Sequence, residues 1–286
     1  MDKQNFYERD YSDDEEYIVV SENEELDDES SSSDGTSHVG HMSKYSSVFN
    51  MIINLMKDVE LGLDIRSHLD HTAFTVGDNE VLKVSKNYWP DLNKIPREIR
   101  ILHILEDVEC VVNLNSFFIS EVDKSYAIVM DRIVETPVED DQKVDFVKQM
   151  FAGLAEIHAH GIIHRDISSG NVLWSDGKIK FIDFNLSCFD DEKHKHYRSC
   201  GTSSYTALEV YERQGYDSKI DVYSAGVVAL KVIIGECDLL DQKEYFARHK
   251  DECDMSNFFH NVLHHNSDKR LTAQGACSHN FLKMNK

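Results

Sequence analysis

The chain has 286 residues, is 41% hydrophobic and carries a formal charge of −22. That length allows one or two domains around a sizeable core, and the acidic balance excludes a nucleic-acid binder, which gains affinity by neutralising phosphates and releasing their counterions. No apolar run approaches the ~18 residues of a membrane span, and the six cysteines are scattered without a Cys-x-x-Cys pair, like the reduced thiols of an intracellular, cytoplasmic or nuclear protein.

Charge is unevenly placed. The first forty residues hold fourteen acidic against two basic side chains, so −12 of the net charge lies there. Residues 1–42 are also Ser-rich and short of apolar anchors, and they cannot bury enough surface to offset ordering entropy, so this tail is expected to be disordered. Its acidic start does not read as a signal or transit peptide. Tyr17-Ile18-Val19-Val20 is its one apolar island, a candidate docking element.

From Ser43 the apolar spacing of Val48, Met51, Ile52 and Leu55 predicts a helix. Short strand-like pieces follow at Val59 to Ile65, at Ala73 to Val76 and, after a turn at Gly77-Asp78-Asn79, at Glu80 to Val84. Pro96 to Leu105 has helical spacing with Pro96 suited to the first turn. Val111 to Phe118 and Tyr126 to Met130 read as two more strands, completing a small β-rich lobe. Val144 to His160 is a long amphipathic helix with Phe146, Val147, Met150, Leu154 and Ile157 on its apolar face. Val172-Leu173 and Ile179 to Ile182 then form a hairpin that ends in Asp183-Phe184-Asn185.

Between that helix and the hairpin lies His164-Arg165-Asp166-Ile167-Ser168-Ser169-Gly170-Asn171, an H-R-D run with Asn five residues after the Asp. The spacing suits phosphoryl transfer, where an Asp accepts the proton of an attacking hydroxyl and a nearby amide oxygen holds a metal ion. Further on come Cys200-Gly201-Thr202-Ser203-Ser204-Tyr205-Thr206-Ala207-Leu208-Glu209, then Asp221-Val222-Tyr223-Ser224-Ala225-Gly226-Val227, and finally Asp268-Lys269-Arg270-Leu271-Thr272-Ala273.

Taken in order, from about residue 55 to 283, these motifs resemble the eukaryotic protein kinase family of Ser/Thr type. The resemblance implies an α+β bilobal protein kinase fold. Its small N-lobe with the preceding helix would span residues 43–130, and its larger, mostly helical C-lobe 131–286. It implies that Lys83 anchors the α- and β-phosphates of ATP and that Glu98 fixes Lys83. Met130, Ile133 and Leu173 would line the rest of the nucleotide site, with the stretch from Met130 to Ile133 as the hinge. Asp166 would be the proton acceptor, and Asn171 and Asp183 would hold Mg²⁺. Arg165 would meet a phosphorylated residue of the activation segment, with Ser199, Thr202, Ser203 and Ser204 as candidates, although Thr202 is placed to bond Asp166 instead. Arg270 and Glu209 would form a buried ion pair.

Three departures lie near the chemistry. Gly62 to His71 holds one glycine where the family has three, Ser168 stands where a Lys usually contacts the γ-phosphate, and Asn185 replaces the Gly of D-F-G. Asn is the commonest non-glycine residue to tolerate the positive φ that such a glycine allows. Two readings follow: a Ser/Thr kinase acting as a monomer on protein substrates, or a kinase fold that scaffolds partners with little catalysis. A small-molecule phosphotransferase is disfavoured by the segment from Thr202 to Glu209 and the helix from Asp221. The acidic balance would favour basic substrate peptides, although most of the excess lies in the tail. Ser12 and Ser21 precede acidic residues, a context resembling that favoured by acidophilic kinases. The compact chain with eroded motifs is also similar to kinases encoded by large DNA viruses.

Overall fold

In the computed structural model the backbone groups into two units, Met1–His38 and Val39–Lys286. The described residues are 71–76, 78–85, 95–120, 125–190, 195–235 and 253–283, all in the second unit. The acidic tail, the predicted helix after Ser43, the predicted strand at 59–65, residues 62–70 of the glycine-poor stretch and Gly77 of the predicted turn lie outside them.

Strands β1 (His71–Val76) and β2 (Glu80–Ser85) pair as a hairpin. Helix α1 (Arg97–Ile104) follows, then β3 (Leu114–Ser120) and β4 (Ser125–Asp131). The four strands form one antiparallel sheet in the order β1-β2-β4-β3, with Val81 opposite Met130 and Lys83 opposite Ile128. Leu82, Lys83, Val84 and Ser85 are all buried, as befits an inner strand covered on both faces. Pro96 sits at the N-cap of α1 with φ −49° and ψ 139°, one step before the first-turn place expected for it. Its ring-fixed φ suits a helix start, but its ψ is extended. Glu98, Ile99, Ile101 and Leu102 form the inward face of α1, which packs against β3.

The second part is mostly helical. Helix α2 (Lys143–Ala159) buries all five apolar positions that its spacing marks. Strand β5 (Ile162–Ile163) leads into the loop 164–171. Strands β6 (Val172–Ser175) and β7 (Lys178–Phe181) then pair around Asp176 and Gly177, whose φ values of 50° and 80° are those of a tight hairpin turn. Strand β8 (Cys188–Phe189) returns to pair with β5. The short helix α3 (Leu208–Tyr211) precedes α4 (Lys219–Ile234), which is buried nearly all round and therefore runs through the middle of this region. Helices α5 (Asp254–Val262), α6 (Ala273–Cys277) and α7 (Asn280–Lys283) close the core against α2 and α4. Among the described residues Cys110, Cys188, Cys200, Cys253 and Cys277 are all free thiols, and no helix there is long and apolar enough to cross a membrane.

Candidate active site

Lys83 leaves β2 on the face turned to α1, where a buried ammonium requires a carboxylate partner. Its Nζ donates to Glu98 Oε1 at 2.6 Å and to Asp183 Oδ1 at 2.7 Å. Glu98 is held from its other oxygen by the hydroxyl of Tyr126, which donates to Oε2 at 2.9 Å. Burial opposes the charge on Lys83, but the carboxylates of Glu98 and Asp183 outweigh it and raise the pKa of the ammonium above its usual value. Tyr126 was not expected in this role. It lies 28 residues from Glu98, and a Tyr in a strand carries no pattern of its own.

The loop 164–171 is built on buried polar contacts. Asp221, 1% exposed on α4, accepts from the backbone N–H of His164 at 2.7 Å and of Arg165 at 2.8 Å. His158 Nε2 also lies 3.0 Å from that carboxylate. The helix that begins near Asp221 therefore supports this loop through a carboxylate that accepts main-chain donors. Arg165 and Asp183 both adopt positive φ, 68° and 63°. Such strain at non-glycine residues persists where the surroundings over-determine it. Asn185, expected to take over a positive φ from the usual glycine, is not among the positive-φ residues. The left-handed step falls two residues earlier, on Asp183.

Asp166 is oriented from two sides. Thr202 donates to Oδ1 through its backbone N–H at 2.8 Å and its hydroxyl at 2.7 Å, and Asn171 Nδ2 donates to Oδ2 at 3.0 Å. Phe184 is fully buried with its ring centroid 4.7 Å from that of His164, which seats Asp183 beside Lys83. The guanidinium of Arg165 is only 4% exposed and lies 5.6 Å over the ring of Tyr216, whose hydroxyl bonds the Arg198 carbonyl. Arg165 thus lies beneath the segment that carries Ser199 and Thr202.

Met130 is buried at the end of β4, with Ile133 and Leu173 half-buried beyond it. Asn171 and Asp183 offer one amide and one carboxylate oxygen set. Among the described residues no group of three His, Cys, Asp or Glu side chains converges as a metal cage. One amide oxygen and one carboxylate are a donor set that fits Mg²⁺, which keeps waters and takes one or two protein oxygens together with substrate phosphates.

A strand lysine paired to a helix glutamate, with a loop aspartate held by a threonine and an asparagine, defines a protein kinase fold. The chain belongs to the eukaryotic protein kinase family: residues 77–282 match the protein kinase domain. It is 28% identical over 214 residues to the "Probable serine/threonine-protein kinase" of Encephalitozoon cuniculi, covering 71% of this chain and 39% of that protein. It is 30% identical over 255 residues to the "DNA damage response protein kinase DUN1" of Saccharomyces cerevisiae, covering 72% of this chain and 48% of the relative. Against "Serine/threonine-protein kinase pakA" of Talaromyces marneffei it is 33% identical over 153 residues, covering 48% and 24%. The chain thus spans less than half the length of these relatives. Protein kinases as a family use ATP and a divalent metal ion.

Proposed function

We propose that the chain transfers the γ-phosphoryl group of ATP to serine and threonine hydroxyls of protein substrates, as an intracellular monomer. The observation that carries this reading is the fixed Asp166 carboxylate, held by Thr202 and Asn171 with its oxygens accounted for. In the reaction the substrate hydroxyl oxygen forms a bond to the γ-phosphorus while the bond to the β,γ-bridging oxygen breaks and ADP leaves. Asp166 orients the hydroxyl and takes its proton. Lys83, fixed by Glu98, holds the α- and β-phosphates, and Met130, Ile133 and Leu173 border the adenine. Asn171 and Asp183 would hold Mg²⁺, which when bound neutralises charge on the phosphate oxygens.

Ser168 supplies no cation to the γ-phosphate, so turnover is expected at or below the low end of roughly 1–100 s⁻¹. The test is incorporation of γ-phosphate from ATP and Mg²⁺ into a histone, with wild type beside Asp166→Asn. Label that disappears in the variant supports the enzyme. Equal background in both would leave the second reading, a kinase fold that binds partners without transfer.

A further inference from the structure

Arg100 lies on α1, two residues after Glu98, and is half-buried. Two residues turn about 200° around a helix, so Glu98 and Arg100 leave it on different sides. Glu98 reaches Lys83 and Tyr126, whereas the Arg100 guanidinium stands 5.0 Å over the centroid of the Phe189 ring. That is within the ~6 Å at which an aromatic face holds a cation. Phe189 is a fixed platform. Its strand β8 pairs with β5, Ile162 opposite Phe189 and Ile163 opposite Cys188, and β5 leads straight into the loop of Asp166. Before the ring, Ser187 Oγ donates to the His164 carbonyl at 3.0 Å, and after it the Asp190 N–H donates to the Gly161 carbonyl at 2.7 Å. The chain beyond α1 is tied separately to β7: the Phe181 N–H donates to the Cys110 carbonyl at 2.7 Å, and the Val112 N–H to that of Phe181 at 3.0 Å. That tie fixes the far end of α1, and Arg100 docks the half that carries Glu98.

We propose that Arg100 is a positioning residue for the nucleotide site: by stacking on Phe189 it holds α1 where Glu98 meets Lys83, and so makes the placing of that lysine depend on β8. The proposal rests on the nucleotide role given to Lys83 above and does not require that transfer follows binding. Helix α1 has eight residues, too few to be stable without packing, so its docked and displaced arrangements are close in free energy and one contact shifts the balance between them. ATP favours the docked arrangement, in which Lys83 is presented to the α- and β-phosphates. Weakening the dock lowers the competent fraction and raises the apparent dissociation constant by the inverse of that fraction. Saturating ATP draws α1 back, so the loss falls on the KM for ATP and spares kcat.

The affinity of the full-length protein for ATP with Mg²⁺ is measured by titration calorimetry, beside the KM for ATP with histone as acceptor. Arg100→Met keeps the stem and removes the cation. It should weaken ATP binding about threefold to tenfold and raise the KM for ATP by the same factor, with kcat nearly unchanged. Phe189→Leu should match it, the double variant should be no worse than either single one, and Arg100→Lys should retain most of the affinity. In a Glu98→Gln background Arg100→Met should have little further effect, because the carboxylate it positions is gone. An Arg100→Met protein that melts earlier but binds ATP like wild type would make Arg100 a structural cation and overturn the proposal. Additive losses in the double variant, or a full Arg100→Met loss in the Glu98→Gln background, would overturn it as well. If no protein gives Asp166-dependent label, phosphotransfer falls alone and the ATP affinities still decide the role of Arg100. Wild type that binds no ATP would take both readings down.

Discussion

Thr202 meets the Asp166 carboxylate twice, its backbone N–H and its hydroxyl both donating to Oδ1 at 2.8 and 2.7 Å. The approach depends on Gly201, which has φ 96° and whose added Cβ would lie 2.6 Å from the Arg165 carbonyl oxygen. Thr202→Ala removes one donor to a charged acceptor and leaves the N–H. We expect kcat to fall by about tenfold with the KM for ATP unchanged, and Thr202→Ser to restore most of it. Gly201→Ala should cost more, because backbone and side chain withdraw together. Steady-state phosphotransfer with a saturating peptide distinguishes the three variants.

Lys83 holds two carboxylates, so its removal affects stability as well as chemistry. Lys83→Met leaves the buried Glu98 without its cation, and unfolding free energy should fall by about 3 kcal/mol or more. Adding Glu98→Gln removes the stranded charge and keeps a partner for the Tyr126 hydroxyl, so urea titration should show most of the loss recovered. Phosphotransfer should stay at least about a hundredfold down in both, because neither variant offers a cation to the α- and β-phosphates. A double variant as unstable as Lys83→Met would show that the pair is not the source of the loss.

Glu209 and Arg270 form a bidentate pair at 2.7 and 3.2 Å, with Arg270 also donating to the carbonyls of Lys219 and His264. It ties the end of the activation segment to the start of α4. Arg270→Ala strands a buried carboxylate and should destabilise by about 3–5 kcal/mol. Arg270→Lys keeps the charge but not the planar fork, so the loss should be intermediate. Denaturation midpoints for the two variants, compared with wild type, check the order.

The pairs just discussed were legible in the sequence because each partner sits in a motif with fixed neighbours: Glu98 before Ile-Leu-x-x-Leu, Arg270 after Asp268, Thr202 after Gly201. The contacts that escaped are made by residues without such a frame. Tyr126 is a Tyr in a strand, and its bond to Glu98 arises only when β4 is laid beside β2 and α1 packs on the sheet. Backbone strain was misread for a related reason. A D-F-N run suggests that the third position takes the left-handed conformation, whereas the first, Asp183, takes it with φ 63°. The order β1-β2-β4-β3 was equally out of reach, since α1 separates β2 from its neighbour β4 in sequence.

His164 should make the fold sensitive to mild acid. Its ring is fully buried, Nδ1 accepts from the backbone N–H of Asp166 at 3.3 Å, and Nε2 lies 3.1 Å from the Ile182 carbonyl oxygen. A neutral ring protonated on Nε2 satisfies both contacts, whereas a second proton on Nδ1 would oppose the Asp166 N–H. Burial lowers the pKa, against the pull of Asp221, Asp166 and Asp183. The folded value is therefore below the unfolded one of about 6.5, so below that pH the unfolded chain binds a proton that the folded chain refuses. Stability should be level above about pH 6.5 and fall as pH drops towards the folded value, by up to about 1.4 kcal/mol per pH unit. Urea midpoints between pH 5 and 8 should show this slope in wild type and a flatter one in His164→Phe. His264 and His279, whose pKa values burial also lowers, would supply the remainder. Parallel slopes in the two proteins would mean that His164 gains its proton without loss of the fold, and that the loop tolerates an imidazolium beside Asp166.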